Sequence, residues 1–103
     1  MESATDYALR RAAERGDTSA VSALLRAGAD VHTYHDEPLR SAASGGHLDV
    51  VRALLQAGAN VHAADNAALR WATAQGHTDV VAALLSAGAD ASAAVKYMEE
   101  LNQ

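Results

Sequence analysis

The sequence predicts an all-α fold, a solenoid of three stacked helix pairs. Three observations carry that prediction. A block of 24 residues recurs with a period of 30, six of the seven glycines fall into two register series, and each block holds two stretches of apolar residues at helical spacing.

The blocks are ALRRAAERGDTSAVSALLRAGADV from Ala8, PLRSAASGGHLDVVRALLQAGANV from Pro38, and ALRWATAQGHTDVVAALLSAGADA from Ala68. The first glycine series, Gly16, Gly46 and Gly76, is expected in a tight turn between two helices. The second, Gly28, Gly58 and Gly88, follows Leu-Leu-x-Ala and suits the left-handed residue that ends a helix. Gly45 alone stands out of register.

Within each block the first helix is expected to open near Asp6, Asp36 or Asn66, whose side chains can accept free backbone amides. Pro38 in the first turn agrees with that start. Leu9, Ala12, Ala13 and Gly16 then share one stripe, as do Leu39, Ala42, Ala43 and Gly46. The second helix is expected to open beside Asp17, Asp49 or Asp79, where a carboxylate complements the helix dipole. Its expected buried stripe is Val21, Leu24 and Leu25, matched by Val51, Leu54 and Leu55 and by Val81, Leu84 and Leu85. A polar linker of nine or so residues returns to the next block.

One such pair cannot bury its own apolar stripe, so stacking is what makes a core. The domain reading is therefore a single domain over 1–103, with repeats at about 6–35, 36–65 and 66–92 and a capping helix at about 93–102. In the last segment Glu99 stands where the repeat places leucine.

Composition narrows the function. With a formal net charge of -5, the chain lacks the basic surface that phosphate neutralisation needs, so no nucleic acid is expected as partner. No apolar run approaches membrane-spanning length, and the first residues lack a secretory signal, so we expect a soluble, cytoplasmic protein with no membrane partner. There is no cysteine, hence neither a disulfide nor a thiolate metal site. The five histidines include His32-x-x-His35, but no His/Asp/Glu cluster shares one helix face, so no metal and no cofactor is expected. No serine has a base and an orienting group at a recognisable spacing, and Gly45-Gly46 does not follow a strand as a phosphate loop would. The sequence reads as a non-enzyme.

These residues resemble a known family. GHLDVVRALLQAGANVHA and GHTDVVAALLSAGADASA are similar to the second half of an ankyrin repeat, and the likeness covers roughly residues 6–92. It implies helix pairs stacked in an L-shape with hairpin fingers on one side, and protein recognition through the fingers and the concave face of the inner helices. Ankyrin repeats run to about 33 residues and open on Thr-Pro-Leu-His. Here the period is 30 and the openings are Tyr7-Ala8-Leu9-Arg10, Glu37-Pro38-Leu39-Arg40 and Ala67-Ala68-Leu69-Arg70. The fingers are thus shorter, which shifts expected binding onto the inner helices. The family's loop asparagine is replaced by His32 and His62.

Three internal copies separate scaffold from site. A residue that the fold demands should recur in every copy; one serving a partner need not. Arg10, Arg40 and Arg70 recur, so bonding to the linkers is expected of them, with a share in binding for Arg40 and Arg70. Five of the eight basic residues lie on the exposed side of the first helices, a basic strip suited to an acidic patch on a partner. Trp71, which replaces Arg11 and Ser41, is the leading contact residue. Arg11, Arg15 and Gln75 share its helical-wheel face, and Tyr34 and His35 occupy the first linker. The expected partner is another protein, bound by a monomer acting as adaptor or inhibitor. The alternative is a self-assembling or designed, consensus-like scaffold without a natural partner, dimerising through its thinly capped N-terminal face.

Overall fold

The computed structural model describes residues 2–90 together with Ser92 and Glu99; the capping helix expected at 93–102 lies, apart from Glu99, outside the described residues. The described chain folds into α1 (Ala4–Arg15), α2 (Thr18–Arg26), α3 (Thr33–Gly45), α4 (Leu48–Gln56), α5 (Ala63–Ala74) and α6 (Thr78–Ser86), with no strand among the described residues. The inner helices α1, α3 and α5 stack in one row and the outer helices α2, α4 and α6 in a second, giving an elongated body of 44 × 26 × 20 Å. None of these helices is long and apolar enough to cross a membrane.

The inner row is built on Leu9, Leu39 and Leu69, all fully buried, with Ala12, Ala13, Ala42, Ala43 and Ala72 beside them. Alanine at these positions lets neighbouring helices approach closely. On the outer row Val50, Val51, Leu54, Val80 and Leu84 have no exposure. The expected stripe is thereby shifted: Val50 and Val80 belong to the core, Leu25 and Leu55 are half-buried, and Leu85 is exposed. The buried face of the outer helix is rotated toward the neighbouring pair, because the core forms between pairs as well as within them.

Both glycine series adopt the left-handed conformation, and Gly16 and Gly46 show a second reason for lacking a side chain. A Cβ on Gly16 would lie 2.5 Å from the His47 ring, and one on Gly46 would lie 2.7 Å from His77. Each histidine packs there because its Nε2 reaches back to a carbonyl of the preceding pair, Glu14 at 3.1 Å for His47 and Ser44 at 3.0 Å for His77. The Gly-His turn is therefore a strut between neighbouring pairs.

The linkers depart most from expectation. In place of a hairpin finger, Tyr34, His35 and Asp36 all lie in the left-handed region with φ of 51°, 54° and 58°, and Ala64, Asp65 and Asn66 repeat this at 54°, 59° and 59°. The ranges given for α3 and α5 thus open on a short left-handed turn, and the regular right-handed inner helix begins after it. Such residues cost about 1–2 kcal/mol each, so something must hold them. The Arg40 guanidinium does so in the first turn, donating to the carbonyls of His35 at 3.0 Å and Tyr34 at 2.6 Å. Arg70 does the same for Asp65 at 2.9 Å and Ala64 at 3.4 Å.

The acidic openers have a different task from the one expected. Ser3 caps α1, accepting the Asp6 amide at 3.1 Å. Asp6 accepts the Asp30 amide at 2.8 Å, and Asp36 accepts the Asn60 amide at 2.8 Å, so each braces the far end of its own pair. Asp36 is buried, and His32 Nδ1 lies 3.0 Å from its carboxylate; His62 sits 3.1 Å from Asn66 in the same way. For the outer helices, Asp17 caps α2 by accepting the Ala20 amide at 3.1 Å, while Asp49 and Asp79 lie in the first turns of α4 and α6.

Two substitutions test this account. Gly46 and Gly76 share positive φ, but a Cβ on Gly76 meets nothing within 4 Å. In urea unfolding, Gly46→Ala should therefore cost roughly 1–3 kcal/mol more than Gly76→Ala, the penalty of overpacking against His77; equal losses would remove the strut. Ala64→Gly should raise stability by about 1 kcal/mol, since alanine is strained at positive φ. A loss of stability on that change would mean the left-handed turn does not form.

Candidate functional site

The exposed side of the inner helices follows the register. Residues 7, 11 and 15 of the first pair form one ridge on α1, and Glu37, Ser41 and Gly45 form the equivalent ridge on α3. On α5 it is Trp71 and the C-cap residue Gln75, with Ala67 buried at the start of the ridge. Each ridge faces the pair before it, so what a residue meets depends on which neighbour it has.

Trp71 lies over the junction of the first two pairs. With Glu14, Glu37, Ser41, Ser44 and Gly45 it lines an open depression of about 390 Å³. The indole is 38% exposed, and the Arg40 guanidinium carbon is 5.8 Å from its ring centroid. The surface next to Trp71 thus consists of an aromatic face, two serines and two carboxylates, of which Glu37 is engaged by Arg10. Glu14 has no side-chain hydrogen bond or ion pair among the described residues. Gln75 sits one turn along α5, exposed at its C-terminal end.

Of the expected basic strip, Arg10, Arg40 and Arg70 are not free positive charge, whereas Arg11 and Arg15 are exposed. Arg40 and Arg70 are turned onto the linker carbonyls, as described above. Arg10 is bound more firmly still: Nε donates to Glu2 at 2.7 Å, one terminal nitrogen donates to Glu2 at 2.9 Å, and the other donates to Glu37 at 2.8 Å. Thr33 completes the cluster by donating its hydroxyl to Glu2 at 2.9 Å. The hydrogen bond from Arg10 holds the Glu2 carboxyl below its usual range, and Glu2 in turn raises the arginine's own value. The linker acids and carbonyls lie within reach of the arginine in register, which draws each guanidinium off the open surface.

Tyr34 and His35 project from the left-handed turn. The Tyr34 ring lies 4.1 Å from the Arg10 guanidinium carbon, stacked on the arginine that Glu2 and Glu37 orient, yet the residue remains 55% exposed. His35 is exposed and gives only its carbonyl to Arg40. These two residues share the linker side of the molecule with Arg40, apart from Gln75.

Arg11 and Arg15 are exposed but are not gathered with Trp71. They line a groove between α1 and α2, with Tyr7, Ala8, Ala12, Ala20, Ala23 and Leu24. The helical wheel makes Arg11 and Trp71 equivalent; the stack does not, because among the described residues no pair precedes α1. Glu37 is a site residue that the sequence reading does not single out. Its position four residues before Ser41 on one ridge was the available signal.

No group of three or more histidine, cysteine or acidic side chains among the described residues could hold a metal ion. His32, His47, His62 and His77 each bond within the scaffold, at the distances given above.

Comparison with known families agrees with this architecture: residues 8–94 match the ankyrin repeats in three copies. No curated protein gives a significant match. The match spans most of the chain and falls on the helix pairs just described, and the chain belongs to the ankyrin repeat family.

Proposed function

We propose that the chain is an adaptor or inhibitor that binds a partner protein through the exposed side of its inner helices, with Trp71 at the centre of the contact. Ankyrin repeats are in general protein–protein interaction modules and not enzymes. The observation that carries the reading is Trp71 itself. It breaks the repeat, keeps much of its indole exposed, and forms one wall of an open depression spanning all three pairs. A large aromatic in such a place is the kind of residue on which binding energy concentrates.

Around that centre, Gln75 extends the contact along α5, while Tyr34, His35 and the outer sides of Arg40 and Arg70 extend it toward the linkers. The exposed cations Arg11 and Arg15 lie outside this contact, so the partner needs no acidic patch to occupy it. Beside Trp71 the partner would meet Glu14 and Glu37, so its central side chain is apolar or basic. A cysteine-free chain suits the cytoplasm, where we place this monomer.

Affinity capture from cell extract tests the reading, with wild type, Trp71→Ala and Arg52→Ala as baits. Arg52 lies exposed on α4, away from the inner helices. Loss of Trp71 should lower partner recovery roughly ten-fold or more, in line with a residue contributing about 2 kcal/mol, while Arg52→Ala retains full recovery. Equal recovery by both variants, each with an intact cooperative unfolding transition, would place the contact elsewhere.

A further inference from the structure

The groove between α1 and α2 presents a second surface, outside the Trp71 contact and independent of it. Its volume is about 530 Å³ and its floor is Ala8, Ala12, Ala20, Ala23 and Leu24. The internal copies show what this face normally meets. In the second and third pairs the matching residues Val50, Leu54, Val80 and Leu84 have no exposure, because the helices of the preceding pair lie against them. Ala20 and Leu24 remain half-buried.

The rim differs too. Where α3 has Ser41 and Gly45, and α5 has Trp71 and Gln75, α1 carries two arginines. Neither Arg11 nor Arg15 has a side-chain hydrogen bond or ion pair among the described residues. Four residues apart on one helix, they stand about 6 Å from each other along its axis. A protein of net charge -5 thus sets two unpaired cations, one helical turn apart, beside an uncovered aliphatic groove.

We propose that this groove docks an acidic amphipathic helix of a partner protein. Helical shape follows from the copies, since helices cover the equivalent faces of the other two pairs. Small aliphatic side chains fit a floor of alanines and one leucine. The charge follows from Arg11 and Arg15: carboxylates at i and i+4 on the docked helix match their spacing. A second copy joined face to face about a two-fold axis would instead bring these arginines near their own counterparts, which disfavours self-association here.

The probe is a synthetic helical peptide with an Ala/Leu face flanked by Glu pairs at i and i+4, set against an otherwise identical peptide bearing Lys. Titration of the full chain is followed by amide chemical shifts. The Glu peptide should shift the amides of Arg11, Arg15, Ala20 and Leu24 and leave the Trp71 indole signal in place. Reversing both charges with Arg11→Glu and Arg15→Glu should weaken the Glu peptide roughly ten-fold or more and favour the Lys peptide. Leu24→Asp should weaken both, whereas Trp71→Ala should change neither, so this groove and the Trp71 surface fail or stand separately. Equal binding of the two peptides, shifts centred on Trp71, or no shift at millimolar peptide would overturn the proposal. So would sedimentation showing a dimer that Leu24→Asp dissociates.

Discussion

One charged hydrogen-bonding arrangement sets the geometry on which the stack depends: the arginine at the start of an inner helix holding the carbonyls of the turn before it. Arg40 and Arg70 each bridge two successive carbonyls with a planar fork that lysine cannot reproduce. The residues they hold are left-handed and include a tyrosine and an alanine, types that resist positive φ. Without the guanidinium those turns would have little reason to persist. With it, three residues reverse the chain and deliver it into the next inner helix, consistent with a 30-residue period.

Other bonds distribute the same constraint. Asp36 ties its turn to the Asn60 amide at the end of the pair, and His32 ties the linker to Asp36. His47 and His77 connect one pair to the next through backbone carbonyls. Every buried polar side-chain atom among the described residues has a partner. A stack this poor in large core side chains gains its specificity from these polar struts as well as from the leucines. The first pair obeys the same logic with different parts, since Arg10 lacks a left-handed turn before it and binds Glu2 and Glu37 instead.

Much of this was legible in the sequence, and the reasons are local. The period, the paired helices and both glycine series follow from chemistry repeated in register, so each copy reports on the others. The left-handed turns were not legible. Tyr34 and Ala64 have no preference for that conformation, and the force that imposes it comes from an arginine five or six residues further on. Asp6 and Asp36 look like helix caps by residue type, but bond to amides 24 residues away, which no local rule anticipates. For the candidate surface, Trp71 could be singled out as the residue that breaks the repeat. The wheel equivalence of Trp71 with Arg11 misled, because it ignores which neighbouring pair each residue faces.

The separation of scaffold from surface therefore rests on whether an arginine in register is bonded to a turn. The most direct measurement is the urea unfolding free energy of Arg40→Met beside that of Arg11→Met, which share residue type and a place on an inner helix but not partners. The two hydrogen bonds lost at Arg40 should lower stability by about 1–2 kcal/mol, and the change at Arg11 should stay within about 0.5 kcal/mol. Equal and negligible effects at both positions would contradict the account.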